Sequence, residues 1–130
     1  MIILTIRTES PNAELGLYNG DEQLAYDTWP AHRQLAETIH TRIKELLSNQ
    51  DRDLHDIEGV VIFKGPGSFT GLRIGLSVAN ALAYTFDIPI VSTQGDDWLK
   101  LGLKKLQTGV NDQLALPEYG SLPHVTLPRK

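Results

Sequence analysis

A glycine-rich loop between an apolar run and a helical pattern constrains the fold of this chain more than any other feature. The loop is Gly65-Pro66-Gly67-Ser68-Phe69-Thr70-Gly71. Residues 57–63 before it end in an uncharged, β-branched run, which is typical of a strand buried on both faces. Residues 70–86 after it repeat apolar side chains at helical spacing. This order of strand, tight loop and helix predicts part of a parallel βαβ unit.

The segments around this unit predict a mixed sheet. Residues 2–6 form a short apolar, β-branched run that indicates a central strand. Asn19-Gly20 separates two extended segments and predicts a β-hairpin, because both positions tolerate positive φ; the return strand is predicted at residues 23–28. An amphipathic helix is predicted over 31–48, with Thr28 as its cap and Pro30 in its first turn.

A further strand at residues 88–92 and a helix at 96–106 complete the predicted order β-β-β-α-β-α-β-α. The fold class is therefore α/β, with a mixed sheet of about five strands and helices on its faces. We expect one domain over residues 1–106. Residues 107–130 contain several Gly and Pro breakers without a period, and they predict an extended C-terminal tail.

Composition excludes several classes of function. The 130 residues are 41% hydrophobic and 22% charged, which indicates one folded globular domain. A net charge of −4 argues against a stand-alone nucleic-acid binder. The absence of Cys excludes disulfides and thiolate metal sites and favours a reducing cytosol. Because the N-terminal residues predict a strand and no run of 18 apolar residues occurs, we expect a cytoplasmic protein without membrane contact.

The glycine loop leaves two interpretations open. Backbone N–H groups at the start of a helix favour an anion, so the contact residues would be Gly65, Gly67, Ser68, Thr70 and Gly71. A Walker loop needs Gly-Lys-Ser/Thr, but the sequence here is Gly71-Leu72-Arg73. The Rossmann spacing also fails, because the third glycine comes one residue late. The loop is either an anion or nucleotide contact or a rigid turn between strand and helix.

The helix after the loop carries a polar stripe between wide apolar flanks. The stripe consists of Arg73, Ser77, Asn80 and Tyr84. Apolar flanks of this width indicate a helix that is buried on two sides or that belongs to an interface. If a partner helix packs here, we expect Ala83 at the closest approach, facing water in the free chain. Gly75 in mid-helix predicts close packing on the sheet.

Residues 64–75 together with residues 88–92 resemble the signature of the TsaB (YeaZ) family. That family is the bacterial partner subunit in making threonylcarbamoyladenosine on tRNA. Two flanking segments are also similar to family patterns: the helix opening His32-Arg33-Gln34-Leu35 and the tail Leu116-Pro117-Glu118-Tyr119. The resemblance covers most of the chain. It implies one half of an actin/hexokinase-like (RNase H-like) ATPase fold.

The resemblance also implies a non-catalytic subunit. Such a subunit docks through helices 31–48 and 70–86 on a TsaD-type catalytic subunit. That enzyme transfers a threonylcarbamoyl group to the adenosine next to the anticodon of tRNAs reading ANN codons. A TsaE-type ATPase is a further implied partner, and tRNA is reached only through the complex. The residues expected to face the partner are His32, Leu35, Arg73, Ser77, Asn80, Ala83 and Tyr84.

Two departures from the family pattern argue against independent nucleotide chemistry. The first strand usually ends in Asp-Thr/Ser, and in true ATPases of this fold that Asp helps to hold Mg²⁺. Here the sequence is Arg7-Thr8-Glu9, and Arg7 cannot hold a metal ion. A second domain of similar size is usual and is absent from these residues. We therefore expect no cofactor bound by this chain alone, although a nucleotide shared at the partner interface fits the fold.

Two alternatives stay open, and the remaining residues suggest no catalytic centre. The chain could be a nucleotide-binding ATPase that uses the glycine loop, or a homodimeric module that self-associates through the same two helices. His32 and His40 are two helical turns apart, too far for one metal ion, so no metal site is predicted. Ser68 lacks the G-x-S-x-G context of a nucleophile, and no catalytic residue is predicted.

Overall fold

The computed structural model describes residues 1–67 and 69–118, and within them it contains five strands and three α-helices. The strands are β1 (Ile2–Arg7), β2 (Asn12–Asn19), β3 (Glu22–Pro30), β4 (Gly59–Phe63) and β5 (Ile90–Thr93). The helices are α1 (Leu35–Ser48), α2 (Phe69–Phe86) and α3 (Trp98–Gln107). The predicted α/β class and element order are confirmed. In the described ranges, no helix has the length and apolar character that crossing a membrane requires.

One sheet of five strands, in the order β3-β2-β1-β4-β5, forms the centre of the molecule. β1 pairs antiparallel with β2, and β2 pairs antiparallel with β3. β4 lies parallel to β1, and β5 lies parallel to β4. The predicted hairpin turn is present, because Asn19 pairs with Glu22 and Gly20 adopts a φ of 64°. The mixed sheet places the ends of β1 and β4 side by side, next to the glycine loop.

Helices cover both faces of the sheet. α3 packs on β4 where Gly102 lies against Val61, and a Cβ at Gly102 would overlap the valine side chain. α2 packs on the other face, where Gly75 lies against Thr8 with no room for a Cβ. The expected close approach of Gly75 to the sheet is confirmed. α1 lies beside α2 and packs on β2 and β3.

The predicted start of α1 is wrong. Pro30 ends strand β3, where it pairs with Asn12, and the Thr28 hydroxyl donates to the Ala13 carbonyl at 2.9 Å instead of capping a helix. A 3-10 turn over His32–Gln34 follows, and α1 begins only at Leu35. β3 is an edge strand, where proline is tolerated because the N–H that it lacks is not needed by a further strand.

The first part of the predicted tail folds back on the domain. The Asp112 N–H donates to the Ile90 carbonyl at 2.8 Å, and the Glu118 N–H donates to the Lys64 carbonyl at 2.7 Å. The Asp112 carboxylate accepts from the Ser92 N–H at 2.9 Å. We name residues 111–118 the C-terminal strap. It covers the outer edge of β5, which would otherwise present unpaired backbone groups. Residues 119–130, with Tyr119 of the tail motif, lie outside the described part.

Candidate docking surface and glycine loop

The glycine loop is packed tightly against its own chain. Gly67 lies on the side chain of Glu9, and Gly71 lies on the carbonyl of Thr8; neither position has room for a Cβ. The Thr8 hydroxyl donates to the Gly71 carbonyl at 2.7 Å. Gly65 has a φ of 117° and lies against the Glu118 carbonyl. These contacts support the interpretation as a rigid turn, which glycine permits and larger residues would prevent.

Ser68 and Thr70 are the two other residues of the predicted anion contact. Thr70 is exposed in the first turn of α2, and it lines a cavity of about 400 Å³ together with His32 and Arg33. Ser68 lies outside the described residues, so its place in the loop stays a prediction. This cavity lies between the β1–β2 connection, the 3-10 turn and the start of α2. It brings two basic side chains near the loop that the sequence singled out.

Arg7 is held in a dense set of contacts at the end of β1. Its Nε lies 3.0 Å from both carboxylate oxygens of Glu9, and its Nη2 lies 2.8 Å from Oε2. The guanidinium carbon lies 4.1 Å from the centre of the Phe63 ring and 5.8 Å from that of Trp98. The hydrogen bonds to Glu9 raise the pKa of Arg7 above its ordinary value. Arg7 is therefore a fixed positive charge that Glu9 neutralises.

This arrangement does not fit the magnesium ion that the fold class implies. Mg²⁺ needs oxygen ligands, but Arg7 presents only donors and both oxygens of Glu9 already accept from it. Among the described residues, no group of three His, Asp or Glu side chains is placed to hold a metal ion. The residues at the end of β1 thus disagree with a metal-assisted nucleotide site.

The outward faces of α1 and α2 form a shallow groove. The groove has a volume of about 320 Å³. It is lined by Arg73, Ile74, Ser77 and Val78 from α2 and by Ala36 and His40 from α1. Arg73 and Ser77 are exposed, as a partner surface requires. His40 was not among the residues expected to face a partner. Its position could have been found from the sequence, since it lies one turn beyond Ala36 on the same face of α1.

Three of the residues expected to face a partner are used by the domain itself. Leu35 is buried, and Ala83 is only 6% exposed. The expectation that Ala83 faces water in the free chain is therefore wrong. Asn80 is half-buried: its Nδ2 donates to the Ala115 carbonyl at 3.0 Å, and its Oδ1 accepts from the Ala115 N–H at 2.8 Å. Asn80 is not available to a partner because the strap lies along α2 and occupies the polar stripe at this turn.

The strap also contributes surface that the sequence did not reveal. Ala115 points inward and is buried, whereas its neighbours Leu114 and Leu116 are 58% and 63% exposed. Tyr84, one turn after Asn80 on α2, is 90% exposed. Within the described part of the chain, these three are the most exposed large hydrophobic side chains. The alternation of Leu114, Ala115 and Leu116 was the available signal, but it is too short to interpret alone.

The comparisons with known proteins agree with this fold. The family model "TsaD: tRNA N6-adenosine threonylcarbamoyltransferase" matches residues 30–94, which include α1, the glycine loop and α2. YeaZ from Pseudomonas aeruginosa superimposes with a TM-score of 0.66 at 22% identity, over 72% of this chain and 43% of that one. The sheet order and the helices on both faces therefore define an RNase H-like, actin-like ATPase fold.

Sequence relatives identify the family within this class. The tRNA threonylcarbamoyladenosine biosynthesis protein TsaB of Bacillus subtilis is 35% identical over 91 residues, which cover 69% of this chain and 39% of that protein. TsaB of Haemophilus influenzae is 31% identical over 96 residues, covering 70% and 37% respectively. The chain belongs to the TsaB (YeaZ) family. It spans about two fifths of the length of the curated relatives that it matches.

Proposed function

We propose that this chain is a non-catalytic partner subunit in the biosynthesis of threonylcarbamoyladenosine on tRNA. It docks on a TsaD-type catalytic subunit, which transfers the threonylcarbamoyl group to the adenosine next to the anticodon of tRNAs reading ANN codons. The observation that carries the proposal is the exposed groove between α1 and α2, within the segment that the TsaD family model matches. A TsaE-type ATPase is a further partner in this proposal.

The chemistry of the surface supports docking to another protein. The groove is lined by the apolar side chains of Ala36, Ile74 and Val78 together with the polar side chains of Arg73, Ser77 and His40. Tyr84 on α2 and Leu114 and Leu116 on the strap add exposed apolar side chains. An apolar centre with polar residues around it is typical of protein interfaces. His32 is exposed next to this surface and remains in the proposed contact set. Leu35 and Ala83 support the surface from beneath, and Asn80 anchors the strap.

The proposed absence of catalysis is supported by the end of β1. Arg7 and Glu9 neutralise each other there, and the described residues around the glycine loop present no paired nucleophile and base. The alternative of an ATPase acting alone therefore lacks a specific observation in its favour. A nucleotide shared at the partner interface remains part of the proposal. The cavity beside His32, Arg33 and Thr70 offers it two basic side chains and an open side.

The net charge of −4 supports contact with tRNA only through the complex. Self-association of the free chain through α1 and α2 is the second candidate arrangement. It is compatible with the same exposed groove, because one surface can bind either a second copy or the partner. Titrating the chain with the partner separates the two, since a shared surface makes homodimer and heterodimer mutually exclusive.

Gel filtration with light scattering tests the proposal directly. The chain is run alone and with a TsaD-type protein from the same organism, and we expect a heteromeric peak that grows at the expense of any homodimer. Ser77→Arg places a long charged side chain in the groove and should abolish co-elution. Gln107→Arg, an exposed position on α3, is the matched control and should leave it intact. Normal co-elution of Ser77→Arg would show that this groove is not the docking surface.

A further inference from the structure

We infer that the Arg7 guanidinium serves as a built-in cation at the place where this fold class holds a metal ion. In this role Arg7 and Glu9 form a clasp that fixes the glycine loop without any nucleotide. We name the pair the Arg7–Glu9 clasp. The inference concerns the free chain and does not depend on the proposed docking function.

The position of the clasp follows from the sheet register. Arg7 is the last residue of β1, and its side chain lies on the face covered by α3, as the contacts with Phe63 and Trp98 show. The next residue, Thr8, lies on the opposite face and packs under α2. Two consecutive residues at one strand end therefore reach both sides of the sheet. The clasp lies on the α3 side, away from the groove between α1 and α2.

The contacts of Arg7 hold the Glu9 carboxylate in one arrangement. Its planar guanidinium donates three hydrogen bonds of 2.8 to 3.0 Å to the Glu9 carboxylate. The ring of Phe63 lies under the same guanidinium at 4.1 Å, and Phe63 is itself buried. Bidentate arginine–carboxylate pairs are geometrically specific, so they hold both side chains in one arrangement. Glu9 is thereby fixed next to β4, close to the start of the glycine loop.

Glu9 transmits this fixed position to the loop. The Cα of Gly67 lies so near the Cβ and Cγ of Glu9 that a side chain at Gly67 would overlap them. The stem of Glu9 thus forms the surface on which the loop packs, while its carboxylate is held by Arg7. Arg7 is a positioning residue for the loop, because it acts through Glu9 and not by contact with a ligand.

Hydrogen–deuterium exchange of the backbone amides over residues 65–75 tests the clasp. Arg7→Ala should accelerate exchange there by about fivefold or more, since local opening of the loop becomes easier. Arg42→Ala is the matched control, because Arg42 also joins an ion pair with Asp27 and stacks on the Trp29 ring. It should leave residues 65–75 unchanged. Equal exchange of the loop in wild type and Arg7→Ala would overturn the inference.

A second measurement covers the case in which Arg7→Ala does not fold. Glu9→Gln keeps the size of the side chain and removes the charge that Arg7 binds, and it should accelerate the same amides. Loop exchange in Glu9→Gln equal to wild type would show that the clasp is not the resident support of the loop.

Discussion

His32 adopts a backbone conformation that non-glycine residues disfavour. Its φ is 48°, in the left-handed region that costs a non-glycine residue about 1–2 kcal/mol. The turn is held there because the N–H groups of Ala31 and His32 both donate to the Pro11 carbonyl, at 2.9 and 3.2 Å. These two backbone hydrogen bonds hold the strained conformation, and contact of the imidazole with a partner belongs to the proposed function.

The strain at His32 predicts an order of stabilities. His32→Gly should give a chain about 1 kcal/mol more stable than His32→Ala, because only glycine adopts this φ without penalty while both lack the imidazole. Urea denaturation of the two free variants measures the difference. Both should bind the TsaD-type partner more weakly than wild type if the imidazole contacts it. An alanine variant at least as stable as the glycine variant would contradict the assignment of strain.

Ala83 and Ala81 form a natural pair of buried and exposed positions on α2. Ala83→Glu buries a charge without a partner and should cost the free chain about 3 kcal/mol or more. Ala81 is exposed, so Ala81→Glu should change stability by less than about 0.5 kcal/mol. Chemical denaturation followed by circular dichroism compares them. Equal stabilities would mean that Ala83 is not packed in the core.

At the scale of elements, periodicity and local turn signals were sufficient to predict the sheet and helices. Asn19-Gly20 fixes the hairpin, and the uncharged run of β4 with the glycine loop fixes the strand–helix connection. The errors come from long-range pairing. Pro30 resembles a helix start locally, but pairing of β3 with β2 extends the strand through it. The strap was missed because its bonds join residues far apart in sequence, such as Asn80 and Ala115.

A substitution at Asn80 tests the hydrogen bonds that hold the strap on α2. Asn80→Ala removes both hydrogen bonds to Ala115 and leaves a buried backbone N–H and carbonyl without these partners, so the free chain should lose about 1–3 kcal/mol. Ser77→Ala, one turn earlier and exposed, is the matched control and should be nearly neutral. Amide exchange at Ala115 should accelerate only in the first variant. Unchanged protection of Ala115 would show that Asn80 does not anchor the strap.

At the scale of the whole molecule, the proposed docking surface combines segments that are far apart in the sequence. α1 and α2 provide the groove, and the strap, which Asn80 holds on α2 through Ala115, adds the exposed side chains of Leu114 and Leu116. No local pattern predicts this combination, since it exists only when the strap lies along α2. The helices could be placed on one surface from their periodicity, whereas the apolar extension of that surface requires the tertiary structure.

Replacing the two exposed strap leucines tests whether the docking surface extends this far. Leu114→Ser combined with Leu116→Ser removes apolar area that a partner would cover, at about 25 cal/mol per Å². We expect the affinity for the TsaD-type subunit to fall by about tenfold or more, while stability of the free chain changes little because both side chains already face water. Isothermal titration calorimetry with the partner gives the affinity.

Leu101→Ser is the matched control for this pair. Leu101 is 46% exposed and lies on α3, on the opposite face of the sheet from α1 and α2. It removes the exposed apolar area of one leucine, less than the double variant does, at a place that the proposed interface does not reach, so its affinity should equal that of wild type. If both variants weaken binding alike, the partner covers α3 as well. If neither does, the interface ends at the groove, and the exposed leucines of the strap have another role.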